Sequence, residues 1–307
     1  MVIVYNKSIK LKATLSTEQY AAAATASNTK LAYRKDLDRF AAWGGVIPSS
    51  PARLCDYLSQ HAATHKPTTL TRWLASISQA HLLLGLDSPC RSIEVRRNLR
   101  GIKREHGAKP RRVSPALRDE VLAMVKALSD DLAGIRNKAI LLIGFAGALR
   151  RSEIANLRVE AVTFDVRGMI LALGKTKTDQ SGEHDEIAIP LAKGSACPVK
   201  ALKDWLKQSH IQSGPVFRAI SKGGKVSDRA LNPHSIAQLI KTFALAAGMD
   251  PADYSGHSLR AGLATSSAKD GKPFHKIKAQ TRHRSDVTLL KYIRDAELFE
   301  DNAADLL

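Results

Sequence analysis

The second half of the sequence contains four short segments whose side chains suit chemistry on a phosphate group. The first, Ala148–Leu157, places two neighbouring arginines, Arg150 and Arg151, and Glu153 at the end of an apolar run. The planar arginine fork can donate two hydrogen bonds to the non-bridging oxygens of a phosphate, and a neighbouring glutamate can hold that fork rigid. An ion pair on the protein surface is the alternative interpretation of the same spacing.

The second segment is basic and lies between two predicted strands. It contains Lys175 and Lys177 in the run from Gly174 to Asp179. A lysine at a hairpin tip can enter a minor groove and donate a proton to a leaving oxygen. The alternative is a solvated basic turn. The segment does not predict a phosphate-cradling P-loop, because it lacks the Gly-x4-Gly-Lys spacing.

The third segment pairs a histidine with an arginine, His257 and Arg260, three residues apart. On a helix the two would share a face, and Gly256 just before them permits a close backbone approach. Histidine can move a proton and arginine can bind a phosphate, so the pair predicts acid–base chemistry beside an anion. A histidine that merely caps a helix is the alternative.

The fourth segment carries a tyrosine, Tyr292, on a predicted helix between Lys291 and Arg294, with His283 upstream. Nearby cations would stabilise the phenolate and make it a competent nucleophile. A tyrosine that only packs or contacts phosphate is the alternative. Each of the four segments is weak by itself, but their joint order in a basic chain is far rarer than any member.

The elements that must position these residues differ between the two halves of the chain. The first 105 residues predict a helical domain. Its helices run from Ser27-Asn28 to Trp43, from Ser49-Ser50-Pro51 onward, from Pro67 with an apolar face of Leu70, Leu74, Ile77, His81 and Leu84, and from Ser92 to His106. Residues 106–113 are polar and basic and contain Gly and Pro, which predicts a linker.

Residues 114–307 predict the second domain, which is mainly helical with a small antiparallel sheet. Ser114-Pro115 would cap a helix reaching Leu128, and 134–148 would form a buried helix. Alternating apolar residues between 160 and 190 predict three antiparallel strands. Helices are predicted again over 198–210 and 233–248 and dominate to the end. The fold class is therefore mainly α, with an α+β C-terminal domain.

Composition points to a polyanionic partner. The chain has 307 residues, a formal net charge of +18 and a pI near 9.9, which favours nucleic acid over an anionic membrane surface or a generally basic protein. The longest apolar run is too short to span a bilayer. Cys55, Cys90 and Cys197 are scattered, and the sequence predicts them to be small buried hydrophobes in a reducing cytoplasm, with no metal site or disulfide framework.

At these four segments the sequence resembles the tyrosine recombinase (phage integrase) family, with a Cre-like pattern. The family's Arg-x-x-Glu falls on Arg150 and Glu153. Its lysine, His-x-x-Arg pair, late histidine and nucleophile fall on Lys177 (with Lys175 as the alternative register), His257 and Arg260, His283, and Tyr292. Most members have Leu-Gly-His before the late histidine, whereas this chain has Thr281-Arg282-His283.

The resemblance implies a helical N-terminal core-binding domain, a basic linker and a C-terminal catalytic domain. It implies that Tyr292 attacks a scissile phosphate to form a 3′-phosphotyrosine while Lys177 protonates the leaving 5′-hydroxyl. The two arginines would bind the phosphate oxygens. His257 would accept or relay the tyrosine proton, and His283 would donate to a phosphate oxygen. No metal, ATP or other cofactor is implied.

The expected partner is double-stranded DNA, with accessory proteins as further partners and no membrane. The basic fourth helix and the linker supply the predicted DNA-binding residues, which are Arg96, Arg97, Arg100, Lys103, Arg104, Arg111 and Arg112. The acidic, amphipathic tail over 295–307 would dock on the next protomer of a homo-tetramer, or else fold back on its own chain. A type IB topoisomerase and a non-catalytic architectural DNA-binding protein are the alternative functions.

Overall fold

The computed structural model describes residues 27–107, 113–174 and 185–296, with side chains for 29–107, 113–174 and 186–293. The chain divides into two compact units, Met1–Pro110 and Arg111–Leu307. The boundary between the units falls within residues 106–113. The linker arginines Arg111 and Arg112 lie outside the described residues.

The N-terminal unit is helical throughout its described part. Its helices are α1 (Ser27–Ala42), α2 (Pro51–His61), α3 (Pro67–Leu83) and α4 (Ile93–His106). The sequence predicted α1 and α2 from their capping residues, α3 from its apolar face, and α4 as a helix rich in arginine and lysine. Two of these helices have a serine cap in the structure. The Ser50 hydroxyl accepts a hydrogen bond from the Arg53 N–H, and the Ser92 hydroxyl accepts one from the Val95 N–H, which satisfies amide groups that have no partner inside the helix.

The core of this unit is aromatic. Phe40, Tyr57 and Trp73 are fully buried, with Tyr57 stacked on Trp73 at a ring-centroid distance of 5.3 Å. Of the apolar face predicted for α3, every member is buried except Leu84. That residue follows the last turn of the helix and is 63% exposed, because the helix ends before the periodicity can return it to the core.

The C-terminal unit combines helices with two small sheets. Its helices are α5 (Arg118–Lys126), α6 (Leu132–Ala146), α7 (Arg151–Asn156), α8 (Pro198–Ser209), α9 (Pro233–Ala246), α10 (Ser258–Lys269), α11 (Phe274–Thr281) and α12 (Asp286–Ala296). Its strands are β1 (Val162–Asp165), β2 (Gly168–Leu173), β3 (Asp185–Pro190), β4 (Arg218–Ile220) and β5 (Val226–Ala230).

The predicted three-stranded antiparallel sheet is confirmed, with the order β1-β2-β3 and Leu171 opposite both Val162 and Ile187. Its inner face contributes Met169, Leu171 and Leu173 to the main core. The buried helix α6 crosses the centre of that core and packs against α8 and α10. The end of α6 is therefore held rigidly, which matters because Arg150 follows it.

One prediction for this unit was wrong, and one hairpin was not predicted. Ser114-Pro115 does not cap a helix; α5 begins only at Arg118, since the Ser114 N–H donates to the Asp253 carbonyl and the Ala116 N–H to the Ser258 carbonyl. These long-range bonds hold the segment extended. The β4–β5 hairpin was not predicted, because its strands are short and β5 is largely exposed and polar.

The three cysteines differ in their burial. Cys197 is buried as predicted, but Cys55 and Cys90 are only half-buried. Within the described residues no helix combines the length and the apolar character needed to cross a bilayer.

Candidate active site

The site begins where α6 ends. The chain turns sharply after Ala146, and Ala148 takes a positive φ of 45°. Arg150 then sits at the position that begins α7, and its N–H donates to the Glu153 carboxylate at 2.9 Å. Its guanidinium also pairs with that carboxylate, with Nη1 at 2.5 Å from Oε1. The predicted role of Glu153 as the partner of an arginine therefore has the required geometry.

A second arginine approaches the same turn from α10. Arg260 is 3% exposed, and its Nη1 donates to the Ala148 carbonyl at 2.9 Å. Its Nη2 is buried and has no hydrogen-bond partner among the described residues. A buried guanidinium donor is costly to leave unsatisfied, so this group is suited to an anion that enters from outside.

His257 precedes α10 rather than lying within it. It occupies the capping position, but its side chain makes no capping bond, so neither the shared helical face nor the simple capping alternative describes it. Gly256 is needed here, because a Cβ at this position would lie 2.8 Å from the Arg151 Cδ. The close approach predicted for this glycine is thus to Arg151.

The remaining site residues come from α11 and α12. Tyr292 and Ile293 pack on a small cluster of Ala264, Ala268, Ile277 and Leu289. The His283 and Tyr292 ring centroids are 5.8 Å apart. The His283 Nδ1 is 2.8 Å from the Thr281 hydroxyl. The same hydroxyl lies 2.7 Å from the Ile277 carbonyl, which competes for its proton. Only the tautomer in which the hydroxyl donates to Nδ1 leaves the ring proton on Nε2, where it can donate to a phosphate oxygen.

Burial and positive charge act together on the two histidines. Burial lowers the pKa of His257, and Arg260 and Arg150 lower it further by repulsion. Burial also lowers the pKa of His283 to about 4, again with repulsion from Arg260 and Arg150. Both imidazoles are therefore neutral at neutral pH, the state in which a ring can both donate and accept a proton.

The same crowding acts on the arginine of α10. Burial lowers the pKa of Arg260 to about 9, and repulsion from Arg150 and Arg282 contributes in the same direction. The group is still a cation at neutral pH, but its charge is destabilised in the folded protein. A bound phosphate would relieve that strain.

The structure thus brings six predicted residues together. Glu153 pairs with Arg150, and Arg260 binds the carbonyl of the turn before Arg150. The His283 and Tyr292 rings are 5.8 Å apart, and both arginines are close enough to His257 and His283 to lower their pKa values. Lys177 and its alternative Lys175 lie outside the described residues, between β2 and β3. The five basic residues predicted on α4 are all exposed.

Sequence reasoning missed three residues that shape the site. Arg282 donates to Glu153 at 2.8 Å and to the Gly147 carbonyl at 3.1 Å. Gln280 donates to the Ala146 carbonyl at 2.8 Å, and Thr281 contacts His283. The available signal was the departure of Thr281-Arg282-His283 from the family pattern, but it gave no indication of a contact with α6.

No group of three or more His, Cys, Asp or Glu side chains able to hold a metal ion occurs in the part of the chain that the structure describes. That finding leaves the metal-free mechanism a prediction.

Comparison with known proteins gives the family. The sequence model of the phage integrase family matches residues 116–298. An integrase/recombinase xerD homolog of Selenomonas ruminantium is 35% identical, with 97% of this chain and 89% of the relative covered. The recombinase cre of Escherichia phage P1 is 27% identical over 82% of this chain and 78% of its own.

A solved structure agrees in fold. The Tn1549 transposon integrase, in complex with transposon right end DNA, has a TM-score of 0.62 and 14% identity and covers 92% of this chain and 95% of its own. The chain belongs to the phage integrase family of tyrosine recombinases. Its activity is accordingly site-specific DNA recombination.

Proposed function

We propose that this recombinase cuts and rejoins double-stranded DNA through a 3′-phosphotyrosine formed by Tyr292. The observation that carries the proposal is the convergence of Arg150, Arg260 and two neutral imidazoles near one phenol. These groups bind a phosphate, move a proton and attack phosphorus, which are the needs of strand cleavage.

The arginines bind the scissile phosphate. The unpartnered Nη2 of Arg260 donates to one non-bridging oxygen, and Arg150, held by Glu153, donates to another. Because both guanidiniums are already fixed before DNA arrives, they stabilise the charge that grows in the pentavalent transition state without reorganisation. In this proposal their combined charge serves in place of a metal clamp.

Protons move through the neighbouring side chains. His257 accepts or relays the proton of the attacking Tyr292, and His283 donates to a phosphate oxygen. Lys177 protonates the 5′-oxygen as its bond to phosphorus breaks, so that it leaves as a hydroxyl. The 5′-hydroxyl of a partner strand then attacks the phosphotyrosine and frees the phenol. One phosphodiester is broken and one is formed, so the covalent link conserves the bond energy and no ATP is needed.

The exposed arginines of α4 extend the proposed DNA contact in the N-terminal unit. Arg96, Arg97, Arg100, Lys103 and Arg104 fall within about 120° of arc at 3.6 residues per turn, opposite the buried Val95 and Ile102. Such a one-sided basic helix suits a phosphate backbone. Arg111 and Arg112 of the linker lie outside the described residues, and their positive charge alone supports the proposal that they also contact DNA.

Assembly and location complete the proposal. The tail after Ala296 lies outside the described residues; its acidic, amphipathic sequence supports docking on a neighbouring protomer in a homo-tetramer on DNA. Accessory proteins would join that complex. A cytoplasmic, nucleoid-associated location belongs to the same proposal because the substrate is cellular DNA.

The nucleophile is tested by Tyr292→Phe on nicked suicide substrates drawn from DNA flanking the gene. The variant keeps the packed ring and loses only the hydroxyl, so we expect DNA binding to persist and the covalent complex to vanish. Tyr254→Phe is the matched control, because its buried hydroxyl contacts the Met249 sulfur; it should still form the complex. Covalent product from Tyr292→Phe would refute the assignment, and activity lost with EDTA and restored by magnesium would contradict the metal-free mechanism.

A further inference from the structure

Arg282 occupies a position where the family pattern has glycine. Its backbone is left-handed, with φ 52° and ψ 44°, a conformation that glycine adopts freely and that other residues adopt at a cost. A strained arginine persists only when the surrounding structure holds it in place. Its contacts show what holds it.

The Arg282 guanidinium is buried and bridges two parts of the site. Its side chain is 6% exposed and the partner carboxylate of Glu153 is 8% exposed. Nη2 lies 2.8 Å from the Glu153 Oε2, while Oε1 of the same carboxylate pairs with Arg150. One carboxylate therefore fixes two guanidiniums at once.

The same side chain closes the end of α6. Arg282 Nη1 donates to the Gly147 carbonyl at 3.1 Å, and Nη2 lies 3.4 Å from the Ala148 carbonyl. Carbonyls at the end of a helix have no partner within it. The Ala148 carbonyl also accepts a hydrogen bond from Arg260. Two arginines, Arg260 and Arg282, therefore bind the carbonyls of the turn that follows α6.

Gln280, which lies on helix α11 two residues before Arg282, also binds the end of α6. Its Nε2 donates to the Ala146 carbonyl and, at 3.2 Å, to the Ala188 carbonyl of β3. Two side chains on the α11 terminus thus hold the α6 terminus. The next residue after Arg282 is His283, and α12 with Tyr292 follows directly.

We propose that Arg282 is a positioning residue that fixes the Arg150–Glu153 pair relative to the segment carrying the nucleophile. The proposal rests on the proposed function, since it assigns Arg150 to the phosphate and Tyr292 to the attack. It adds that the Arg282 side chain sets the position of Arg150 and Glu153 relative to the segment from His283 to Tyr292. Without that side chain each part folds but their relative position is loose.

The test uses Arg282→Gly in the full chain on the suicide substrates described above. Glycine fits the left-handed backbone, so the variant removes the guanidinium without adding strain. We expect DNA binding within about twofold of the parent and covalent-complex formation slower by about 10- to 100-fold, the effect of a misplacement near 1 Å. Arg282→Lys keeps the charge and should recover part of the rate. Arg229→Met, which removes an exposed arginine on β5, should react like the parent.

Two further readouts separate positioning from simple packing. In a double-mutant cycle with Glu153→Gln, the effects should be non-additive because Arg282 acts through that carboxylate. In DNA-free protein, the pKa of the His283 ring followed by NMR should rise in Arg282→Gly, since Arg282 is one of the cations that lower it.

Arg282→Gly cleaving within twofold of the parent would overturn the proposal, as would additive effects in the cycle. A parent protein that forms no covalent complex would instead contradict the proposed function. The NMR result would then still report on the Arg282 contact, so the two failures are distinguishable.

Discussion

Acidification should destabilise the C-terminal unit through His283. The ring is neutral in the folded protein because burial, reinforced by Arg260 and Arg150, lowers its pKa to about 4. In the unfolded chain an imidazole titrates near 6.5. Between these values the unfolded state binds more protons, so stability falls as the pH drops from about 6.5 towards about 4.

The size of the effect follows from the two pKa values. At pH 5 the unfolded ring is almost fully protonated and the folded ring is about one-tenth protonated, which gives a loss of about 2 kcal/mol relative to pH 7. His283 is partly exposed, and solvent screening reduces this to about 1–2 kcal/mol. The lowered pKa of His257 acts in the same direction.

The assay measures the free energy of unfolding in urea at pH 7 and at pH 5. Unfolding is monitored by the loss of the native NMR methyl signals of the Arg111–Leu307 unit. His283→Gln removes the titrating ring, so its loss of stability over this interval should be smaller than that of the parent by about 1–2 kcal/mol. His275→Gln is the control, because that ring is exposed on α11 and its removal should leave the pH dependence unchanged.

Direct titration decides the physical cause. The ring resonance of His283 is identified as the signal lost in His283→Gln and followed from pH 8 to pH 3.5. A midpoint at or above 6.5 would refute the reasoning, since burial among cations could not then be controlling the ring. An unchanged pH dependence in His283→Gln would refute the linkage to stability.

Two further predictions concern the cations. Arg260→Met should abolish covalent-complex formation yet raise the stability of the C-terminal unit by about 1–3 kcal/mol in urea unfolding, because it replaces a buried and repelled charge by an apolar side chain; a variant less stable than the parent would contradict this. Replacing Arg97 and Arg100 by alanine should reduce the log–log salt dependence of DNA binding by about 1.8, since each phosphate contact contributes about 0.9; an unchanged slope in salt titrations would remove these residues from the DNA surface.

Local signals predicted most of the fold. The face of α3 could be derived because Leu70, Leu74 and Ile77 recur at helical spacing, and α2 because Ser50 precedes Pro51. Where long-range contacts determine the backbone conformation, the prediction from the local sequence was wrong. Ser114-Pro115 has the composition of a helix start, but the Ser114 N–H bonds to the Asp253 carbonyl and the Ala116 N–H to the Ser258 carbonyl. Nothing in the local sequence encodes these bonds.

The active site likewise has features that the sequence predicts and features that depend on long-range contacts. The types of Arg150, Arg260, His283 and Tyr292 and their order along the chain predict phosphate chemistry. The contribution of Arg282 could not be predicted, because it depends on a left-handed backbone and on carbonyls that are 135 residues away in sequence. A motif records which groups take part, whereas the supporting contacts exist only once the chain has folded.

The charge balance of the site explains why its scaffold is so constrained. Three guanidiniums lie near one carboxylate. Glu153 pairs with Arg150 and Arg282, whereas it acts on Arg260 only through longer-range attraction. Such a cluster would separate unless the backbone held it, and the carbonyls of Gly147 and Ala148 supply the additional acceptors. The residues at the two strained turns, Ala148 and Arg282, are the ones that bring these acceptors to the cations. The resulting local excess of positive charge would favour a phosphate as its negative charge increases in the transition state. The strained turns that hold the cations together therefore also serve the proposed catalysis.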